Sequence, residues 1–191
     1  MTEEIFDIVN EHDEIIGAAP RAVVHRDGLR HRAVHVLVFN ALGEVFLQKR
    51  SMTKDSAPGK WDSSASGHLN QGEEYDSCAI RELHEEIGLV LSSTPERLFK
   101  LGACAATGEE FVWVYRCQDE GPFQLHPEEI ETGAWFSCNR VAEQVRERPD
   151  DFSRSFCLVW EHLRALFSGL PPSGAQQPRQ QPSINLSTTR Q

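Results

Sequence analysis

Glu82, Glu85 and Glu86 stand within five consecutive residues, with Arg81 beside them and Glu73 eight positions before Arg81. A helix advances about 100° per residue, so Glu86 would lie about 40° to one side of Glu82 and Glu85 about 60° to the other. Three carboxylates would then share one arc of about 100°. Like charges so close repel. Two arrangements relieve the repulsion. In one, the arc is a solvated acidic face, partly neutralised by Arg81. In the other, it holds a hard divalent cation, since clustered carboxylate oxygens are what Mg²⁺, Mn²⁺ and Ca²⁺ take as ligands. Ala79, Leu83 and Ile87 recur at i, i+4 and i+8 and give the same helix a packing stripe.

A resemblance to a known family decides between these arrangements. Gly67, Glu73, Arg81, Glu82, Leu83, Glu85, Glu86, Gly88 and Leu89 occupy all nine specified positions of the pattern G-x5-E-x7-R-E-U-x-E-E-x-G-U, where U is aliphatic. This stretch resembles the Nudix box, and a chance match in a chain of this length is roughly one in ten million at average composition. The resemblance implies an α+β fold, a Nudix-type α/β/α sandwich with a mixed sheet and a loop–helix–loop catalytic motif. It implies a divalent-metal-dependent pyrophosphohydrolase cleaving a nucleoside diphosphate linked to a group X, or a related small diphosphate. The roles it carries over are metal binding by Glu82, Glu85 and Glu86, with the Gly67 carbonyl as a further ligand, and bracing by Glu73 paired with Arg81. The cofactor implied is Mg²⁺ or Mn²⁺, and family habit allows a homodimer. Bound Mg²⁺ would polarise phosphoryl oxygens and acidify a water, which a charged diphosphate requires before attack.

The flanks, from about residue 5 to 165, are similar to a narrower group, the isopentenyl diphosphate isomerases and their Nudix relatives. The similarity rests on His31–Asn40, Gln48-Lys49-Arg50, Lys54, Pro58–Trp61 and Gly67-His68. It implies diphosphate contacts for Arg50 and Lys54, and it makes isomerase-like proton transfer to an alkene the alternative activity. The departures count against that alternative. Ser66 stands where the isomerase needs a cysteine, and a hydroxyl of very high pKa is a poor proton carrier. Gly108 and Glu110 match a pair of glutamates, so one is missing. His31 and His68 match a histidine-rich metal site, with His25 one residue out of register. A third reading, a non-catalytic Nudix binding module, would be expected to lose box carboxylates, and none is lost.

Other residues carry less signal. Glu110, and less so Glu109, is a candidate extra carboxylate, and Glu85 and Glu110 are both eligible as general base. His68 is placed to touch substrate or metal, or to make a structural hydrogen bond. His35, mid-strand, reads as a core histidine. Trp61 reads as a pocket wall or, more simply, the anchor of its loop. Trp113 and Cys78 read as packing.

These residues need a scaffold. Residues 4–20 read as a hairpin around Glu11-His12-Asp13. Ala33–Phe39 and Glu44–Arg50 read as strands joined at Asn40–Gly43, and 51–67 as a loop. Glu74–Ile87 reads as the box helix, stopped by Gly88. Strands are expected at 98–105, 110–117 and 133–136, and helices at 139–146 and 153–167. The domain spans 1–168, and 169–191, poor in apolar residues, reads as a disordered tail. The 191 residues carry 19 Lys plus Arg against 29 Asp plus Glu, a net charge of −10, which disfavours a nucleic-acid scaffold role. No apolar run reaches the roughly 20 residues of a membrane span. An acidic start without a signal-like segment, and five cysteines with no CxxC pair, read as a cytoplasmic protein with free thiols.

Overall fold

The computed structural model describes residues 3–168; the expected tail lies outside them. The chain runs β1 (Ile5–Val9), β2 (Ile15–Pro20), α1 (Arg21–Asp27), β3 (His31–Phe39), β4 (Glu44–Arg50), β5 (Trp61–Asp62), β6 (Ala65–His68), α2 (Tyr75–Ile87), β7 (Glu96–Leu101), β8 (Glu110–Gln118), β9 (Ile130–Ser137), α3 (Cys138–Glu147), a 3₁₀ turn (Pro149–Asp151) and α4 (Arg154–Ser168). β1 and β2 form a separate antiparallel hairpin, and the other seven strands form one sheet. β3 runs parallel to β8 and antiparallel to β4 and β6, so the sheet is mixed.

β3 is the centre of the fold because both its faces are apolar. Val34, Val36 and Val38 pack with Ala79, Leu83 and Ile87 of α2, while Ala33 and Leu37 pack with Phe156, Val159, Trp160 and Leu163 of α4. Side chains alternate across a strand, so this one segment supports a helix on either side, the α/β/α layering the resemblance implies. β3 also changes partner along its length. Val38 and Phe39 pair with β4, but Ala33–Val36 pair with β6. Buried Ser64 fills the junction: its hydroxyl accepts from Val38 N–H at 2.8 Å and donates to Phe46 O at 2.5 Å.

The structure departs from the sequence expectations in three places. Residues 51–67 are not all loop, since β5 and β6 lie within them. Small residues such as Ala65, Ser66 and Gly67 carry little strand propensity, and only pairing with β3 makes a strand of Ala65–His68. Helix α1 was not expected; it fits between Pro20 and a left-handed Gly28 at φ 61°. The strand expected to reach Ala105 ends at Leu101, because Thr107 Oγ1 accepts from Cys104 N–H at 3.0 Å and closes a turn there. No helix among the described residues is long and apolar enough to cross a membrane.

Candidate active site

α2 begins at Tyr75 and ends at left-handed Gly88, whose N–H returns to His84 O. Its packing stripe is fully buried, and Glu82 and Glu86 flank that stripe and are buried with it, at 8% and 5% exposure. Glu85 faces solvent. The three carboxylates therefore do not share one environment.

Arg81 organises the outer part of the group. Its Nε and Nη2 donate to the two oxygens of Glu73, each at 2.9 Å, a bidentate pair that fixes the loop ahead of the helix. Nη1 donates to Glu82 Oε1 at 2.7 Å and to Glu85 Oε2 at 2.9 Å, and Nη2 also donates to His68 O at 3.0 Å. The same loop is held from the far side by the hairpin, since Gly72 N–H donates to Asp7 Oδ2 at 2.8 Å and Gln71 N–H to Ile5 O at 2.8 Å. Glu86 lies beyond the reach of Arg81. Its Oε2 accepts from Gln48 Nε2 at 2.8 Å and from Ser66 N–H at 2.9 Å. Burial raises the proton affinity of both inner carboxylates. In Glu82 it outweighs Arg81, and in Glu86 the charge of Glu82 adds to it. Gly67 packs against Glu82 with no room to spare, because a Cβ there would sit 2.0 Å from Oε1.

One guanidinium thus faces Glu73, Glu82 and Glu85, and Glu86 has only neutral donors. A cluster short of positive charge and presenting carboxylate oxygens fits a hard divalent cation, with Glu82, Glu85 and Glu86 as the residues that would hold it.

A second group of ligand-type side chains lies on the other face of β6. Gly67, opposite Val34, lies on the side of the sheet that α2 covers; His68, opposite Ala33, lies on the other side, and so does Glu110, opposite His31. His25 from α1, His31 from β3 and His68 from β6 bring one ring nitrogen each within 4.8 Å of the others. Glu110 Oε1 lies 3.0 Å from His68 Nε2 and 3.5 Å from His31 Nε2. Burial would raise the Glu110 carboxyl, but the two rings outweigh it and hold it far below the usual carboxylate range. His31 Nδ1 lies 2.9 Å from Leu29 O and must donate to it, so Nδ1 carries the proton. That leaves Nε2 buried without a hydrogen-bond partner among the described residues. Burial and the two neighbouring rings push His25 down to about 4, so it is neutral at physiological pH, the form that ligates metal. Phe6 covers the group, stacked on His31 with centroids 5.7 Å apart and tilted over His68 at 4.8 Å. Three imidazoles and a carboxylate gathered beneath Phe6, with His31 Nε2 buried and without a hydrogen-bond partner among the described residues, fit a cation as well.

The remaining candidates have other partners. Lys54, expected at a phosphate, is ion-paired with Glu129. Arg50 donates through Nε to Ser56 O at 3.0 Å and lies 3.6 Å from Asp62. Trp61 packs edge-on against Phe136, centroids 5.0 Å apart. His35 is buried with Nδ1 2.8 Å from Ser63 Oγ. Cys78 and the other cysteines are free thiols. Sequence reasoning named Gln48 only as part of the flank resemblance and gave it no role; the one signal was an amide directly after the apolar run Val45-Phe46-Leu47, at a position that pairs with strands on both sides.

The comparisons with known proteins agree with this geometry. The NUDIX domain profile matches residues 29–156. An uncharacterized Nudix hydrolase of Yersinia pestis is 33% identical over 153 residues, covering 78% of this chain and 80% of its own. An isopentenyl-diphosphate Delta-isomerase of Serratia proteamaculans is 29% identical over 167 residues, covering 85% and 93%. The crystal structure of DR0079 from Deinococcus radiodurans superposes with a TM-score of 0.74 at 24% identity, covering 82% and 97%, and shares the fold. With the domain profile spanning most of the chain and the box carried on α2 beside the sheet, this protein belongs to the Nudix hydrolase family.

Proposed function

We propose that the chain is a cytoplasmic, Mg²⁺- or Mn²⁺-dependent pyrophosphohydrolase acting on a small-molecule diphosphate, a nucleoside diphosphate linked to X or a relative of it. The observation that carries this reading is the charge balance on α2, where Glu82 and Glu86 are buried together and Glu86 has no cation partner among the described residues. Burying carboxylates without compensation is costly, and a divalent cation offsets that cost. Once bound, such a cation supplies Lewis-acid polarisation of the phosphoryl oxygens and lowers the pKa of water.

The chain's own residues do the rest. Glu82, Glu85 and Glu86 hold the cation, with the Gly67 carbonyl beside them, and Glu73 and Arg81 fix their loop and helix. Lys54 and Arg50 are the cations assigned to the diphosphate, Lys54 by exchanging Glu129 for a phosphate oxygen. Water attacks one phosphorus, the anhydride P–O bond breaks, and the phosphate or nucleotide leaves on the oxygen. Glu85 is the better candidate to take the proton of the attacking water. It is exposed beside Glu82, whereas Glu110 is committed to histidines on the far face of β6.

The histidine group favours a second reading, isomerisation of an isoprenoid diphosphate, because His25 joins His31, His68 and Glu110 despite its offset in sequence. Ser66 in place of a cysteine weighs against it. The test is phosphate release from nucleoside di- and triphosphates, nucleotide sugars, dinucleotides, coenzyme A and isopentenyl diphosphate, with Mg²⁺, Mn²⁺ or EDTA. Dimethylallyl diphosphate is assayed in parallel. Metal-dependent hydrolysis is expected; isomer without hydrolysis would replace the first reading by the second.

A further inference from the structure

The two inner carboxylates are oriented by different means. Glu82 is held by a cation, Arg81. Among the described residues Glu86 is held only by neutral donors, and both reach the same oxygen, Oε2: Gln48 Nε2 at 2.8 Å and Ser66 N–H at 2.9 Å. Both hydrogen bonds that reach Glu86 among the described residues thus fall on the same oxygen. Gln48 is itself buried, at 1% exposure, and its backbone is fixed between two strands, opposite Asp62 of β5 and Gly133 of β9. The amide therefore approaches Glu86 from a rigid sheet rather than from a loop.

We propose that Gln48 is a positioning residue for the metal-dependent reaction, engaging Oε2 of Glu86 so that Oε1 is presented to the cation. This rests on the hydrolase reading above. The choice of an amide follows from charge. A lysine or arginine at this position would orient the carboxylate equally well but would cancel the negative charge that attracts the metal. An aliphatic residue would leave the charge but free the carboxylate to rotate. An amide orients the group and leaves its charge intact.

The test compares wild type with Gln48→Met, which keeps the length of the side chain and removes its donor. Mn²⁺ affinity is measured by electron paramagnetic resonance, alongside kcat and KM across a Mn²⁺ titration. The expected result is Mn²⁺ affinity lower by about 10- to 100-fold. At saturating Mn²⁺, kcat returns to within about threefold of wild type, and KM for the diphosphate is unchanged. A merely structural role would lower kcat at every Mn²⁺ concentration and would leave affinity in the folded fraction unaltered; either result overturns the proposal. A second measurement needs no variant. In wild-type protein the side-chain amide proton of Gln48 keeps its hydrogen-bonded NMR shift when Mg²⁺ is added, and loss of that shift would also overturn the proposal. Wild-type protein that binds no Mn²⁺ overturns this and the hydrolase reading together. Wild type that binds Mn²⁺ and hydrolyses, with Gln48→Met unaltered, overturns this one alone.

Discussion

The two faces of β6 carry two groups of ligand-type side chains built on opposite plans. On the α2 face, the carboxylates come from one helix at i, i+3 and i+4, are short of positive charge, and reach water through Glu85. On the other face, three imidazoles and one carboxylate come from four elements and lie beneath Phe6. The first is a set of hard oxygen donors suited to Mg²⁺ or Mn²⁺, and the second a nitrogen-rich set suited to a softer transition metal. The strand between them keeps them separate, with Gly67 turned to one side and His68 to the other. The proposed hydrolase chemistry uses the first, and the second is the group that favours the isomerase alternative.

The largest effect should come from breaching the wall. In Gly67→Ala the new Cβ would fall 2.0 Å from Glu82 Oε1 and displace that carboxylate. Hydrolysis should fall by about 10³-fold, on the order of several kcal/mol of lost metal assistance. The kcat at saturating Mg²⁺ reads this, and an effect below tenfold would show that Glu82 is free to move.

Arg81→Lys comes next. Lysine cannot make the bidentate pair with Glu73 while also reaching Glu82 and Glu85. Urea unfolding should show a loss of about 2–3 kcal/mol, reduced from the full value for a buried pair by partial exposure. The same change on the other face, where no arginine links the groups, has no counterpart.

The charge deficit itself has a pH signature. Glu82 and Glu86 hold protons in the folded state above the ordinary carboxylate value of 4.5. The folded protein then binds more protons than the unfolded chain. Metal-free stability should fall as pH rises from about 4.5 through the raised values. Saturating Mg²⁺, at about 100 times its Kd, should return about 2.7 kcal/mol near pH 8. It should return clearly less near pH 5.5, where protons compete for the same oxygens. Thermal melts with and without Mg²⁺ at the two pH values check this; equal stabilisation at both would remove the buried carboxylates from the metal site.

The smallest effect on hydrolysis should come from the histidine face. His25→Ala should leave Mg²⁺-dependent kcat within about twofold, while the Co²⁺ absorption of the four-residue group is lost. A large drop in hydrolysis would mean that the two groups act together.

The same contrast governs what could be read from sequence. α2 was legible because its function is local: one helix, one spacing, with Gly88 to stop it. The layered mixed sheet followed from the box. The histidine group was only half legible. His31 and His68 matched a pattern, but His25 was set aside for a one-residue offset that helix α1 and left-handed Gly28 absorb in three dimensions. β6 was hidden because Ala65-Ser66-Gly67-His68 has the composition of a loop and becomes a strand only against β3. Lys54 was read as a diphosphate contact, and its ion pair was not legible because its partner, Glu129, lies 75 residues away in sequence. Gln48 was named in the flank resemblance but given no role, because its neighbours in sequence do not announce a carboxylate 38 residues distant.

The central claim is that Glu86, buried and held by neutral donors, binds the divalent cation that hydrolysis requires. Glu86→Gln keeps the shape of the side chain and removes its charge. Its kcat for the best diphosphate substrate should be about 10³-fold below wild type at saturating Mg²⁺, with the metal-free fold intact by circular dichroism. Hydrolysis at the wild-type rate by Glu86→Gln under saturating Mg²⁺ would contradict the account.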